Sequence, residues 1–233
     1  MTLHVPTHKS VLIQLLHDIY ADTTLGPFLG FKGGTAAYVF YGLNRFSVDL
    51  DFDLLDEGQG DHVFGRLERI ARTYGELRDK KIKRFNLLIV LSYEEKAQNI
   101  KIEVNRRSFG SRFELKSYMG ISMLVMVKED MFAHKLVAMH ERMGGTNRDI
   151  FDVWYFLKSN WSITTEIVEK RTGVSFLAFL KKCIAILERQ SDRSILSGMG
   201  ELLDPQQKAW AKEHLRKDTI FLLKLRLENE KKL

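Results

Sequence analysis

A chain of 233 residues that is 45% hydrophobic is long enough for one large or two modest globular domains with a substantial core. Its 36 Lys and Arg outnumber 30 Asp and Glu, and the resulting net charge of +6 leans toward a polyanionic substrate or partner. The single cysteine, Cys183, excludes an internal disulfide framework and a cysteine-rich zinc site. With no signal-peptide pattern near the N-terminus, it points to a cytoplasmic protein. The most apolar window, Tyr118 to Val127, is far short of the roughly 20 residues a membrane helix needs, so no membrane partner is expected.

Val11, Leu12, Leu15, Leu16 and Ile19 recur at helical spacing and predict an amphipathic helix over about 7–22 that ends before Leu25-Gly26-Pro27. A strand-like stretch leads to Lys32-Gly33-Gly34, and Thr35 to Leu43 suit a helix with Thr35 as its N-cap. Phe46 to Leu54 then alternates without a break. Phe46, Val48, Leu50, Phe52 and Leu54 face one way and Ser47, Asp49, Asp51 and Asp53 the other, which predicts a strand with an apolar and an acidic face.

Residues 61–77 read as a helix, and Leu87 to Leu91 as a central strand covered on both faces. Ile100, Ile102 and Val104 alternate with Lys101, Glu103 and Asn105 in a further strand. Beyond Met126 the pattern is helical throughout, over 128–142, 147–158, 163–171, 174–190 and 206–229. A division near residue 120 therefore separates an α/β domain, 1–120, from a helical domain, 121–233.

Two adjacent glycines opening a helix let the backbone approach a ligand closely, and the free amides of the first turn offer donors to phosphate oxygens. Glycine pairs are common in turns, so Gly33-Gly34 gains meaning only from the acidic strand that follows. Residues i and i+2 on one strand face lie roughly 6.8 Å apart at Cα, close enough for the Asp49 and Asp51 carboxylates to converge on cations. Aspartate is disfavoured in strands and like charges repel, so three on one face are unfavourable unless a bound metal neutralises them. Glu103 supplies a third carboxylate if its strand neighbours the Asp strand, completing a two-metal site suited to phosphoryl or nucleotidyl transfer. The competing interpretation is a solvated acidic face on an edge strand.

Lys32-Gly33-Gly34-Thr35 followed by Arg45-Phe46-Ser47-Val48-Asp49-Leu50-Asp51-Phe52 resembles the AbiEii/AbiGii nucleotidyltransferase toxin family of the DNA polymerase β-like superfamily. The glycine pair, thirteen intervening residues and Asp-x-Asp is similar to the first signature of those transferases. Two further elements of the family are present: Lys135 within Asp130 to Met139, and Arg148-Asp149-Ile150-Phe151-Asp152 after the Gly144-Gly145 turn. The resemblance implies an α+β fold, in which a polymerase β-like nucleotidyltransferase domain with a mixed sheet flanked by helices precedes a helical domain that contributes to the nucleotide site.

It further implies Mg²⁺ (or Mn²⁺) on Asp49, Asp51 and Glu103, with NTP as substrate. Lys32, Gly33, Gly34, Thr35, Arg45, Ser47, Lys135 and Arg148 would lie on the nucleotide, and Asp149 or Asp152 would support the site. The implied partners are a tRNA, another RNA or a protein as acceptor, and a separately encoded antitoxin in a toxin–antitoxin or phage-defence system. From the residues alone, Lys135 also suits a snorkelling surface lysine, Asp149 a favourable helix N-terminus, and Asp152 an ion pair with Arg148.

No His-Glu-x-x-His, Gly-x-Ser-x-Gly, Walker A or kinase glycine-loop pattern is present, which removes the commonest zinc, hydrolase and phosphate-loop frameworks. A kinase, a small-molecule (aminoglycoside-like) nucleotidyltransferase and a non-catalytic nucleotide-binding module remain as alternatives. The basic segments Lys80-Lys81-Ile82-Lys83-Arg84 and Arg106-Arg107 suit either RNA phosphates or solvent.

Overall fold

The computed structural model describes residues 3–232, which form two compact units, one ending at Val127 and one beginning at Lys128. In the first unit the chain runs α1 (Val5–Ala21), β1 (Leu29–Lys32), α2 (Gly33–Phe40), β2 (Leu50–Leu54), α3 (Gly60–Arg72), β3 (Glu76–Ile82), β4 (Asn86–Ser92), β5 (Ile100–Asn105), β6 (Phe113–Tyr118) and β7 (Ile121–Met126). The seven strands make one mixed sheet in the order β3-β4-β5-β2-β1-β7-β6. β2 runs antiparallel to β1 and parallel to β5, so the short acidic strand sits at the centre.

Alternation divides this sheet into two unlike faces. Phe31, Leu50, Phe52, Ile102, Val104, Leu87 and Ile89 are buried on one of them. There α1 adds Leu12, Leu15, Leu16 and Ile19, and Tyr20 donates its hydroxyl to the Leu29 carbonyl at 2.9 Å. The opposite face carries Lys32, Asp51, Asp53, Asn86, Glu103 and Asn105. Burial of the first face fixes the register, because a one-residue slip would turn the carboxylates into the core.

The strand foreseen over Phe46 to Leu54 is a ladder only from Leu50 to Leu54. Val48 and Asp49 instead give their carbonyls to the side chains of His8 and Thr35. The helix foreseen to 77 stops at Arg72, and at Gly75 an added Cβ would collide with the Ser92 backbone, a close approach that only glycine allows. The next strand, β3, went unforeseen because it is an edge strand of mostly charged residues with no apolar alternation to detect.

β4 is second from that edge instead of central, with Leu87, Ile89 and Leu91 buried and Leu88 and Val90 only half-buried. The β6–β7 hairpin was also missed. Its two turn residues, Met119 and Gly120, both take positive φ, 50° and 82°, as a tight hairpin turn requires.

The second unit is helical: α4 (Lys128–Glu141), α5 (Arg148–Lys158), α6 (Thr165–Thr172), α7 (Phe176–Arg189), α8 (Pro205–Trp210) and α9 (Arg216–Glu230). Its core includes Phe156 stacked on Trp161 at 4.1 Å between centroids and Trp154 against Trp210 at 4.1 Å. The single helix foreseen over 206–229 is interrupted by a π-helical turn at Ala211–Leu215.

Candidate active site

Gly33 opens α2 with φ +80°, and a Cβ there would lie 2.9 Å from Asp51 Cβ and against Asp51 Oδ2. At Gly34 a Cβ would meet Ser47 Oγ at 2.8 Å and Arg45 Nη2 at 3.1 Å. Gly33 is thus required by the Asp51 side chain packed against it, and Gly34 makes room for the Ser47 hydroxyl and the Arg45 guanidinium. Lys32, not Thr35, is the N-cap residue, because the helix already begins at Gly33. Thr35 is fully buried and donates its hydroxyl to the Asp49 carbonyl, tying α2 to the acidic segment. Arg45 is only 2% exposed and donates from Nη1 to the Phe46 carbonyl at 2.9 Å. Arg45 and Ser47 therefore stand against the backbone of the glycine turn.

Asp51 is paired in register with Lys32 on β1 and with Glu103 on β5. Adjacent strands lie about 4.8 Å apart, so the Asp51 and Glu103 carboxylates share one side of a parallel pair. Glu103 Oε1 accepts a hydrogen bond from Asn86 Nδ2 at 3.0 Å, and Asp49 Oδ1 accepts one from the Lys101 amide at 3.2 Å. Asp53 has a different role. It is buried and takes hydrogen bonds from Lys32 Nζ at 2.5 Å and Asn105 Nδ2 at 2.7 Å, so it anchors Lys32 beside the glycine turn.

Sequence reasoning missed His8. It is fully buried, with Nε2 2.9 Å from the Val48 carbonyl and Nδ1 3.0 Å from the Tyr93 hydroxyl. A carbonyl can only accept, so Nε2 carries the proton and Nδ1 accepts from the tyrosine. Burial pushes the His8 pKa down, against the opposing pull of the Val48 carbonyl and Asp49, and keeps the ring neutral. The imidazole thus positions the residue before Asp49. Nothing in the helical periodicity of α1 separates such a histidine from a surface one.

In the helical unit, Lys135 on α4 places Nζ 2.8 Å from Asp149 Oδ1 and 2.7 Å from Asp152 Oδ2 on α5. Both carboxylates are completely buried, whereas the Lys135 side chain is 12% exposed. Arg142 reaches Asp149 Oδ2 at 3.3 Å. Burial would raise the Asp149 pKa, but the Lys135 and Arg142 cations, with Arg148 adding to them, hold it down at about 2. The resulting cluster fixes the ammonium between two helices and leaves one edge of it open.

Among the described residues no group of three or more His, Cys, Asp or Glu side chains is gathered into a metal cage. Mg²⁺ does not require one, since it keeps several waters and is commonly held by one or two carboxylates plus substrate phosphates. Asp49, Asp51 and Glu103 offer hard oxygen donors of that kind.

Three outcomes are expected. Gly33→Ala forces a left-handed backbone on a β-carbon and displaces Asp51; the chain should still fold, while transfer activity falls about 10²-fold, the scale of a 1 Å misplacement. Circular dichroism beside an activity assay checks it, and a fully active variant would contradict the packing. Lys135→Met removes the ammonium that two buried carboxylates share and should cost about 3–5 kcal/mol in urea unfolding, whereas a merely snorkelling lysine would cost little.

The third concerns pH. The depressed Asp149 pKa means that the stability it contributes is fully present above its ordinary value of 3.8 and is lost as pH falls toward the folded value of about 2. Unfolding of the helical unit followed by tryptophan fluorescence should therefore steepen below pH 3.8, and Asp149→Asn should remove that contribution.

Residues 14–213 match the family model described as nucleotidyl transferase AbiEii toxin, type IV toxin–antitoxin system. A Helicobacter pylori protein described as a candidate nucleotidyltransferase superposes with TM-score 0.63 at 19% identity, covering 100% of this chain and 98% of its own. JHP933, also from Helicobacter pylori, gives TM-score 0.59 at 19% identity, covering 99% and 97%. At that identity the two structures speak for the fold alone. No curated protein matches the chain. The family model spans most of the residues, including the glycine turn, all three carboxylates and the Lys135 cluster, and the chain belongs to the AbiEii nucleotidyltransferase toxin family of type IV toxin–antitoxin systems.

Proposed function

We propose that this nucleotidyltransferase moves a nucleoside monophosphate from an NTP to a hydroxyl of an RNA acceptor, tRNA being the acceptor that the family resemblance implies. The observation that carries the reading is the register of β1, β2 and β5, which aligns Lys32, Asp51 and Glu103 while Gly33 packs against Asp51. Gly33 and Gly34 bring backbone amides to the β- and γ-phosphates. Asp49 and Asp51 hold the divalent cation, and Glu103, steadied by Asn86, completes the oxygen set. A bound Mg²⁺ or Mn²⁺ supplies charge neutralisation at the phosphates and orients them.

The acceptor hydroxyl forms a new bond to the α-phosphorus as the bond to pyrophosphate breaks, and its proton passes to Glu103 or solvent. Lys135 and Arg148, on the reading that the family resemblance suggests, balance charge on the triphosphate. Asp149 and Asp152 then share one role, since both grip Lys135. A separately encoded antitoxin would oppose the activity. No described helix is long and apolar enough to cross a membrane.

The test supplies NTP labelled at the α or the γ phosphate with a total RNA and protein pool and Mg²⁺. Label should enter RNA from the α position alone, and Asp51→Asn should lower transfer by about 10²–10³-fold, the scale seen when an electrostatic stabiliser is removed. Label arriving from the γ position would identify a kinase and overturn the reading. Label on small molecules would replace the acceptor class, and no product with any acceptor would leave a nucleotide-binding module.

A further inference from the structure

The β3–β4 turn carries a feature that the carboxylate site does not use. Phe85 is 50% exposed and Ile82 52% exposed. The Arg84 guanidinium lies 5.0 Å from the Phe85 ring centroid, and that of Arg107, just beyond β5, lies 5.6 Å from it. Arg107 also lies 5.6 Å from the Phe109 ring. Two arginines thus flank one exposed ring, and the second bridges to another ring.

The charge here is not spent internally. Lys80 and Lys81 are paired with Glu68 and Asp79, but Lys83, Arg84 and Arg107 form no ion pair among the described residues. The turn is also well held, since the Lys83 amide donates to the Asn86 carbonyl at 2.8 Å and the Arg106 amide to the Phe85 carbonyl at 2.9 Å. An exposed ring on a fixed backbone, framed by guanidinium groups outside any ion pair, combines a stacking platform with phosphate contacts. Single-stranded nucleic acid is bound by that combination.

Its location connects it to the chemistry. On β5, Asn105 follows Glu103 by two positions, and its Nδ2 donates both to Asp53 and, at 2.7 Å, to the Arg107 carbonyl. From Glu103 to Arg107 an extended chain covers at most about 13–14 Å, a span of roughly four stacked nucleotides at about 3.4 Å each.

We propose that the Phe85 platform, with Arg84, Arg107 and Lys83, is the docking surface for the single-stranded end of the RNA acceptor, a base stacking on Phe85 a few nucleotides from the reacting terminus. This rests on the nucleotidyl-transfer reading for its purpose, but not for its test. Stacking tolerates any base, so the surface supplies affinity and placement and little sequence preference.

The test measures binding of a fluorescently labelled RNA single strand, about 12 nucleotides long so as to exceed one stacking site, to the 233-residue chain by anisotropy across a salt series. Phe85→Ala should weaken binding on the order of tenfold or more with the salt slope unchanged, and Phe85→Trp should restore it. Arg84→Gln with Arg107→Gln should lower the slope of log affinity against log salt by about 0.7 for each phosphate that the variant no longer neutralises. In the α-label assay Phe85→Ala should raise KM for RNA while kcat at saturation and NTP binding stay unchanged.

Unchanged oligonucleotide affinity in Phe85→Ala, or equal affinity of the wild type for duplex and single strand, would overturn the proposal and leave the patch to a protein partner. If the oligonucleotide results hold but the α label never enters RNA, the docking surface stands and the RNA-acceptor reading falls.

Discussion

The space left by the missing side chain at Gly33 governs the geometry of the first unit. Asp51 fills the volume that a Cβ would take, so the opening of α2 packs directly on an aspartate side chain at the centre of the sheet. That contact is held from three sides. Thr35 reaches from α2 to the Asp49 carbonyl, His8 from α1 to the Val48 carbonyl, and the Arg45 guanidinium fills the space behind Gly34. These groups come from different elements, and each donates to a backbone carbonyl of the segment before β2. The segment before β2 can therefore leave the ladder without orphaning its carbonyls.

Much of this was legible in the residues. The glycine pair, the alternation through Asp51 and the polar face of β5 each follow from elementary rules of turns and strands. The structure adds the register that sets Glu103 against Asp51. What was not legible has physical reasons. β3 is charged because it is an edge with little apolar surface to bury, so a search for hydrophobic periodicity passes over it. The strand before Leu50 looked continuous because side-chain caps replace ladder hydrogen bonds without disturbing the alternation. His8 sits within the apolar stripe of its helix, and only the three-dimensional partners Val48 and Tyr93 reveal its task.

The helical unit illustrates a different limit. Spacing alone could not choose between Asp149 and Asp152, and the structure gives the reason: the two carboxylates grip one ammonium, at 2.8 and 2.7 Å, from successive turns of α5. Residues three apart on a helix project from the same side, so a single lysine on a neighbouring helix can satisfy both. Two buried anions with one buried cation would be unfavourable. Arg142, half-exposed at 51%, supplies the second positive charge at the solvent edge. Changing any one of these four groups alters the field felt by the other three, so single substitutions there report on the cluster as a unit.

Among the chain's cations two populations have different physical roles. Lys32 and Lys135 are paired with buried aspartates, their positions fixed and their charge largely balanced at home. A cation so balanced exerts little long-range attraction and acts by where its remaining N–H groups point. Lys83, Arg84 and Arg107 have no such partner among the described residues and stand in solvent near an exposed ring. Their field reaches out to about a Debye length, roughly 8 Å at physiological salt, and is felt by a polyanion before contact. The net charge of +6 is therefore unevenly available. The first population is fixed by its own buried aspartates, while the second is the one whose charge a polyanion would meet. On the proposed reading the separation has a chemical advantage: cations set beside Asp49 and Asp51 to recruit RNA would pair with those carboxylates and compete for them with any divalent cation.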